Sequence, residues 1–100
     1  MNATISVIQG ISKLGQDLRD ARIRRRISVA VMAARASMSR TTLNRIEKGD
    51  LGVSMGAYAT ILLILGMFDR LKNLADIKND ALGLELDEER LPQRIRYRLK

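Results

Sequence analysis

The chain has 100 residues, enough for one small core, and its 18 basic and 11 acidic side chains leave a net charge of +7. Cys and His are both absent, which excludes disulfides, thiol nucleophiles, Cys/His zinc sites and the commonest general base. With three aromatics there is no material for a large base-stacking platform, so the basic excess points to nucleic acid first and an acidic membrane surface second.

In chain order, apolar Ile11, Leu14, Leu18 and Ala21 recur at steps of three and four and predict a helix from Gln9 to about Arg24. Arg19, Arg22, Arg24, Arg25 and Arg26 crowd its C-terminal end, where cations suit the helix macrodipole. Ser28 reads as the N-cap of an Ala-rich helix from Val29 to Ala36, with Met32, Ala33 and Ala36 on one face and room for another helix to approach closely. After Ser37-Met38, Ser39 reads as the N-cap of a helix from Arg40 to Lys48. Its two apolar residues, Leu43 and Ile46, form a narrow buried stripe and leave Arg40, Thr41, Asn44 and Arg45 facing outward. Gly49 suits the left-handed position that ends it. Ser54 reads as a third N-cap, before a stretch from Met55 to Leu65 that is apolar nearly all round and predicts the central core helix, closed by Gly66. Thr60 and Gly66 break the apolar run from Ala57 to Phe68, which is too short to span a bilayer.

Phe68, Leu71 and Leu74 predict a short fifth helix from Phe68 to Ala75. Beyond it Leu82, Leu84 and Leu86 alternate, as do Ile95, Tyr97 and Leu99, which predicts small strands or arms that pair in a dimer or complex, with Gly83 as a break. The N-terminus lacks the basic start and cleavage site of a secretory signal, and the expected location is cytoplasmic, on the nucleoid.

Charge is segregated along the chain. Residues 1–49 carry ten basic and three acidic side chains, residues 50–89 three basic and eight acidic, and residues 90–100 five basic and none acidic. The simplest account is a basic half facing phosphates and an acidic half facing elsewhere; the plainer alternative is an ordinary solvated surface. The acidic residues lie in surface-like runs, so no catalytic triad, carboxylate dyad or metal cluster can be assembled, and neither an enzyme nor a cofactor is expected.

Two short helices joined by a tight turn, the second polar on one side, match a helix-turn-helix in which the second helix enters the major groove. The residues Leu14 to Arg22, Ile27-Ser28, Met32-Ala33 and Ser39-Arg40-Thr41-Thr42-Leu43-Asn44-Arg45-Ile46-Glu47-Lys48-Gly49 together resemble the Xre/Cro family of phage-repressor-type regulators, over residues 12–66. The resemblance implies an all-α, compact five-helix, lambda-repressor-like domain over residues 9–76 with a tail over 77–100, binding double-stranded operator DNA as a homodimer. It further implies that Arg40, Thr41, Asn44 and Arg45 read bases, that Ser39, Thr42 and Lys48 touch phosphate, and that Arg22 and Glu47 form a structural salt bridge.

Three positions depart from that family's pattern. Val29 stands where Gln is usual and cannot hydrogen-bond, and Ser37 and Arg26 stand where Gly is usual, so Ser37 must tolerate an awkward backbone angle. The segments Gly66 to Leu71, Leu74-Ala75-Asp76 and Ala81 to Arg96 resemble the tail of HipB-type antitoxins, which implies a HipA-like kinase toxin as partner. Asp76 to Glu89 then offers either a partner face or a solvated linker, and Arg90 to Lys100 either a phosphate-tracking tail or a pairing strand. The alternatives are a stand-alone prophage-type regulator and an adaptor for RNA or an acidic protein.

Overall fold

A computed structural model describes residues 3–89, which are helical throughout apart from turns. Helix α1 spans Ile5–Arg24, α2 Val29–Arg35, α3 Arg40–Glu47, α4 Met55–Ile64 and α5 Phe68–Lys72; a single 3-10 turn at Ile77–Asn79 precedes α6, Ala81–Glu89. The described residues divide into two compact units after Phe68.

In the first unit, local chemistry sets each helix start. The hydroxyls of Ser28, Ser39 and Ser54 accept the N–H three residues on at 3.1, 3.0 and 3.1 Å, satisfying one orphan donor at each N-terminus. Thr4 does the same for α1, accepting from Val7 N at 3.3 Å. That cap starts the helix at Ile5 rather than Gln9. The added turn carries Ile5, Val7 and Ile8 in exposed positions, so core periodicity gives no sign of it.

The core takes Leu18 and Ala21 from α1, Met32 and Ala33 from α2, Leu43 and Ile46 from α3, and Tyr58 and Ile61 from α4, with Leu65 at its edge. Ala21 and Ala33 are buried small residues, which lets the helices that carry them approach closely. The closest approach lies between α1 and the end of α3. A Cβ at Gly15 would stand 2.5 Å from the Ile46 carbonyl oxygen and 2.6 Å from Gly49 N, and a Cβ at Gly49 2.5 Å from Ser12 Cα. Gly49 also has φ +73°, the left-handed value that a residue without Cβ adopts freely.

Helix α4 departs from its expected central position. Tyr58 and Ile61 are buried, but Met55 is 74% and Leu63 62% exposed. A unit this small buries one side of a helix, and among the described residues of the first unit no further layer covers the other.

The second unit corrects the reading of the alternating leucines. Residues 81–89 form α6, not a strand, with Gly83 inside the helix and Leu82, Leu84 and Leu86 exposed. Asp80 caps it, accepting from Gly83 N at 2.8 Å, and Leu and Glu favour helix once a cap is present. No strand occurs among the described residues to pair with this segment. The expected fifth helix closes at Lys72, short of Ala75, and Asp76 caps the following 3-10 turn through Lys78 N at 2.9 Å. The alternation at Ile95, Tyr97 and Leu99, and the rest of Arg90 to Lys100, lie outside the described residues.

Candidate nucleic-acid interface

Two backbone positions shape the path into α3. Arg26 and Ser37 both sit in the left-handed region, at φ 55° and 52°, ending α1 and α2 sharply enough to start the next helix within a few residues. A side chain in this region carries about 1–2 kcal/mol of strain. The Ser37 N–H donates to the Ala34 carbonyl and the Met38 N–H to the Ala33 carbonyl, so the turn between α2 and α3 is hydrogen-bonded throughout. Val29, the first residue of α2, is half-buried against the core and brings no polar group to the surface.

Helix α3 has two distinct faces. Leu43 and Ile46 are fully buried and Glu47 nearly so, while Arg40, Thr41, Asn44, Arg45 and Lys48 are exposed. At 100° per residue these exposed residues occupy one continuous arc of about 140°. The arc carries three cations, a hydroxyl and an amide, the groups that bond base edges and phosphates. At the N-terminus of α3, Ser39 Oγ accepts from Thr42 N and also donates to Thr42 Oγ1 at 3.0 Å, so the two hydroxyls form one hydrogen-bonded pair at the mouth of the helix.

Behind this face, Arg22 reaches from α1 to Glu47. Its Nε donates to Oε2 at 2.7 Å and its Nη2 to Oε1 at 3.1 Å, a two-pronged pair, while Nη1 donates to the Ile27 carbonyl at 2.8 Å. Both side chains are over 90% buried. One guanidinium thus ties α1, the turn before α2 and the end of α3 together. Hydrogen bonding to Glu47 raises the Arg22 pKa against the opposing pull of burial, so the guanidinium stays charged.

A second ion pair borders the outer face. Arg45 Nε donates to Asp50 Oδ2 at 2.7 Å, with side chains 47% and 36% exposed. Arg45 therefore points outward, but it is held. Asp50 itself is anchored at each of its other polar groups. Its N–H donates to the Arg45 carbonyl at 3.0 Å, its carbonyl accepts from the Tyr58 hydroxyl at 2.8 Å, and its Oδ1 accepts from Gly52 N at 2.7 Å. The hydrogen bond from Arg45, with that from Gly52 N–H, holds the Asp50 carboxyl below the usual aspartate range. Burial pushes the Tyr58 phenol up, with the Asp50 charge adding to it, so the hydroxyl remains a donor.

Reading the sequence misses Asp50, Gly52 and Tyr58 as parts of this face. The available signal is the charge pair Arg45 and Asp50 spanning a Gly49 turn, a spacing that brings them together only once the chain reverses.

The family model of a helix-turn-helix domain matches residues 13–74, more than half of the chain. No curated protein and no solved structure matches it. No helix among the described residues is long and apolar enough to cross a membrane. The chain belongs to the helix-turn-helix domain family, which makes it a DNA-binding regulator.

Proposed function

We propose that this member of the helix-turn-helix family is a sequence-specific transcriptional repressor that binds operator DNA as a homodimer, with α3 in the major groove. The observation that carries the reading is the two-faced α3: Leu43, Ile46 and Glu47 anchor it while Arg40, Thr41, Asn44, Arg45 and Lys48 stand exposed along one arc. In this reading Arg40 and Arg45 address guanine edges, Thr41 a thymine methyl and Asn44 an adenine edge. Lys48 and the Ser39–Thr42 hydroxyl pair face phosphate, where contacts fix register without reading sequence. Two copies related by a dyad would place their α3 helices about 34 Å apart, one turn of duplex.

The test is fluorescence anisotropy with a fragment from the region upstream of the gene and with random duplex, at matched salt. The expected result is tighter binding to the upstream fragment, with affinity falling steeply as salt rises. Equal affinity for both duplexes overturns the reading. Arg40→Ala is expected to weaken specific binding by about 1–3 kcal/mol, whereas Lys48→Ala should weaken all duplexes alike and reduce the salt slope by about 1. Preferential binding of single-stranded RNA in the same assay would favour the adaptor alternative.

A narrower part of the proposal is an antitoxin role toward a HipA-like kinase. What supports it is the resemblance of residues 66–96 to HipB-type tails, together with an acidic stretch from Asp76 to Glu89 whose last part, α6, exposes Glu85, Glu88 and Glu89 beside Leu82, Leu84 and Leu86. Co-expression with the kinase-like product of an adjacent gene should yield a stable complex. Failure to co-purify would leave a stand-alone regulator.

A further inference from the structure

We infer that Asp50 is a specificity-determining residue of the DNA interface: it grips the Arg45 guanidinium at Nε and so makes Arg45 present its two terminal nitrogens, end-on, to a single base. The inference rests on the operator reading above and adds to it a residue outside the recognition helix.

An arginine on a long stem is a poor reader unless something restrains it, because phosphates offer it equally good hydrogen bonds that carry no sequence information. Here the restraint is built from the loop after α3. The Nε–Oδ2 contact of 2.7 Å leaves Nη1 and Nη2, the parallel donors that match O6 and N7 of guanine. Asp50 is a fixed post because Tyr58 holds its carbonyl, Gly52 N holds Oδ1 and the Arg45 carbonyl receives its N–H. Gly52 leaves space for the pair: a Cβ there would lie 3.1 Å from both Arg45 Nη2 and Asp50 Oδ1, so each would have to give by a few tenths of an ångström. The Asp50 charge also opposes any phosphate approaching from its side, which removes the competing use of Arg45. An ion pair this exposed adds little to stability, so orientation is the effect that remains for it.

The test is selection from a random duplex pool with the full-length chain, comparing wild type with Asp50→Asn and Gly52→Ala. Asp50→Asn keeps an oxygen acceptor for Gly52 N and loses the charged grip on Arg45; Gly52→Ala keeps the charge and crowds the pair. Both variants are expected to enrich the wild-type sequence at all positions but one per half-site. At that position the guanine preference should fall about ten-fold, and Arg45→Ala should abolish it there. Affinity of Asp50→Asn for random duplex should stay level or rise, since a negative charge is gone. If wild type enriches a sequence and both variants enrich it with undiminished discrimination, the Asp50 role is overturned and the operator reading stands. If wild type enriches nothing, the operator reading falls and takes this inference with it.

Discussion

Two arginine–carboxylate pairs flank helix α3 with the same 2.7 Å contact and opposite surroundings. Arg22–Glu47 lies behind the helix with both side chains over 90% buried, whereas Arg45–Asp50 lies beside its outer face, 47% and 36% exposed. The shortest bond is alike, although the buried pair is two-pronged and the exposed one single, and the surroundings weigh most in what each pair does. In the interior the charges have been taken out of water, and removing either partner strands the other. At the surface water and salt compete for both partners, and the pair contributes little to folding but still biases where a flexible guanidinium points. The same bond is thus a clamp in one place and a guide in the other.

The largest expected effect breaks the clamp. Glu47→Ala should cost about 3–5 kcal/mol of stability, measured by urea unfolding, because Arg22 is left charged and buried without a carboxylate, with only the Ile27 carbonyl to bond. Molecules that remain folded should keep the wild-type base preference. A loss under 1 kcal/mol would mean that Arg22 finds water after all, and the contrast between the pairs would disappear.

Next comes the approach that makes the clamp possible. Gly15→Ala places a methyl against the Ile46 carbonyl and Gly49 N, rigid backbone on both counts, and should destabilise by about 1–3 kcal/mol. A double-mutant cycle with Glu47→Ala should be non-additive, since both act on the packing of α1 against α3.

A smaller effect of opposite sign is expected where backbone strain is relieved. Ser37→Gly, at φ 52°, should raise stability by about 1 kcal/mol while operator preference stays unchanged.

The smallest effect sharpens the surface side of the comparison. Asp50→Asn should leave the melting temperature within about 4 °C of wild type. The folded-state pKa of Asp50 lies below its unfolded value, so its contribution is present above the unfolded value and is lost as pH falls through the lower folded one. An NMR titration of the Asp50 carboxyl should therefore run below the usual aspartate range of about 3.9, and Arg45→Ala should return it toward that range. A midpoint at the usual value in wild type would show that the pair does not hold in solution.

Much of this architecture can be read along the chain, because its signals act over three or four residues. Ser28, Ser39 and Ser54 cap helices through an N–H three residues on, and the stripe of Leu43 and Ile46 dictates that Arg40, Thr41, Asn44 and Arg45 face outward. Where the local signal is ambiguous, reading it fails: Leu82, Leu84 and Leu86 fit a strand or a helix, and a cap from Asp80 decides for α6. Amphipathic pattern likewise could not tell which flank of the apolar α4 would be covered, since that depends on the elements available to cover it.

What the residues determined by themselves is the succession of capped helices and the polar face of the third, since caps and periodicity are properties of neighbours in the chain. What only the tertiary structure decided is how those groups are held. The two-pronged closure and burial of Arg22–Glu47, a pair the family resemblance implies, and the Tyr58 hydroxyl on the Asp50 carbonyl both join separate elements, and a contact between elements is encoded by packing rather than by spacing.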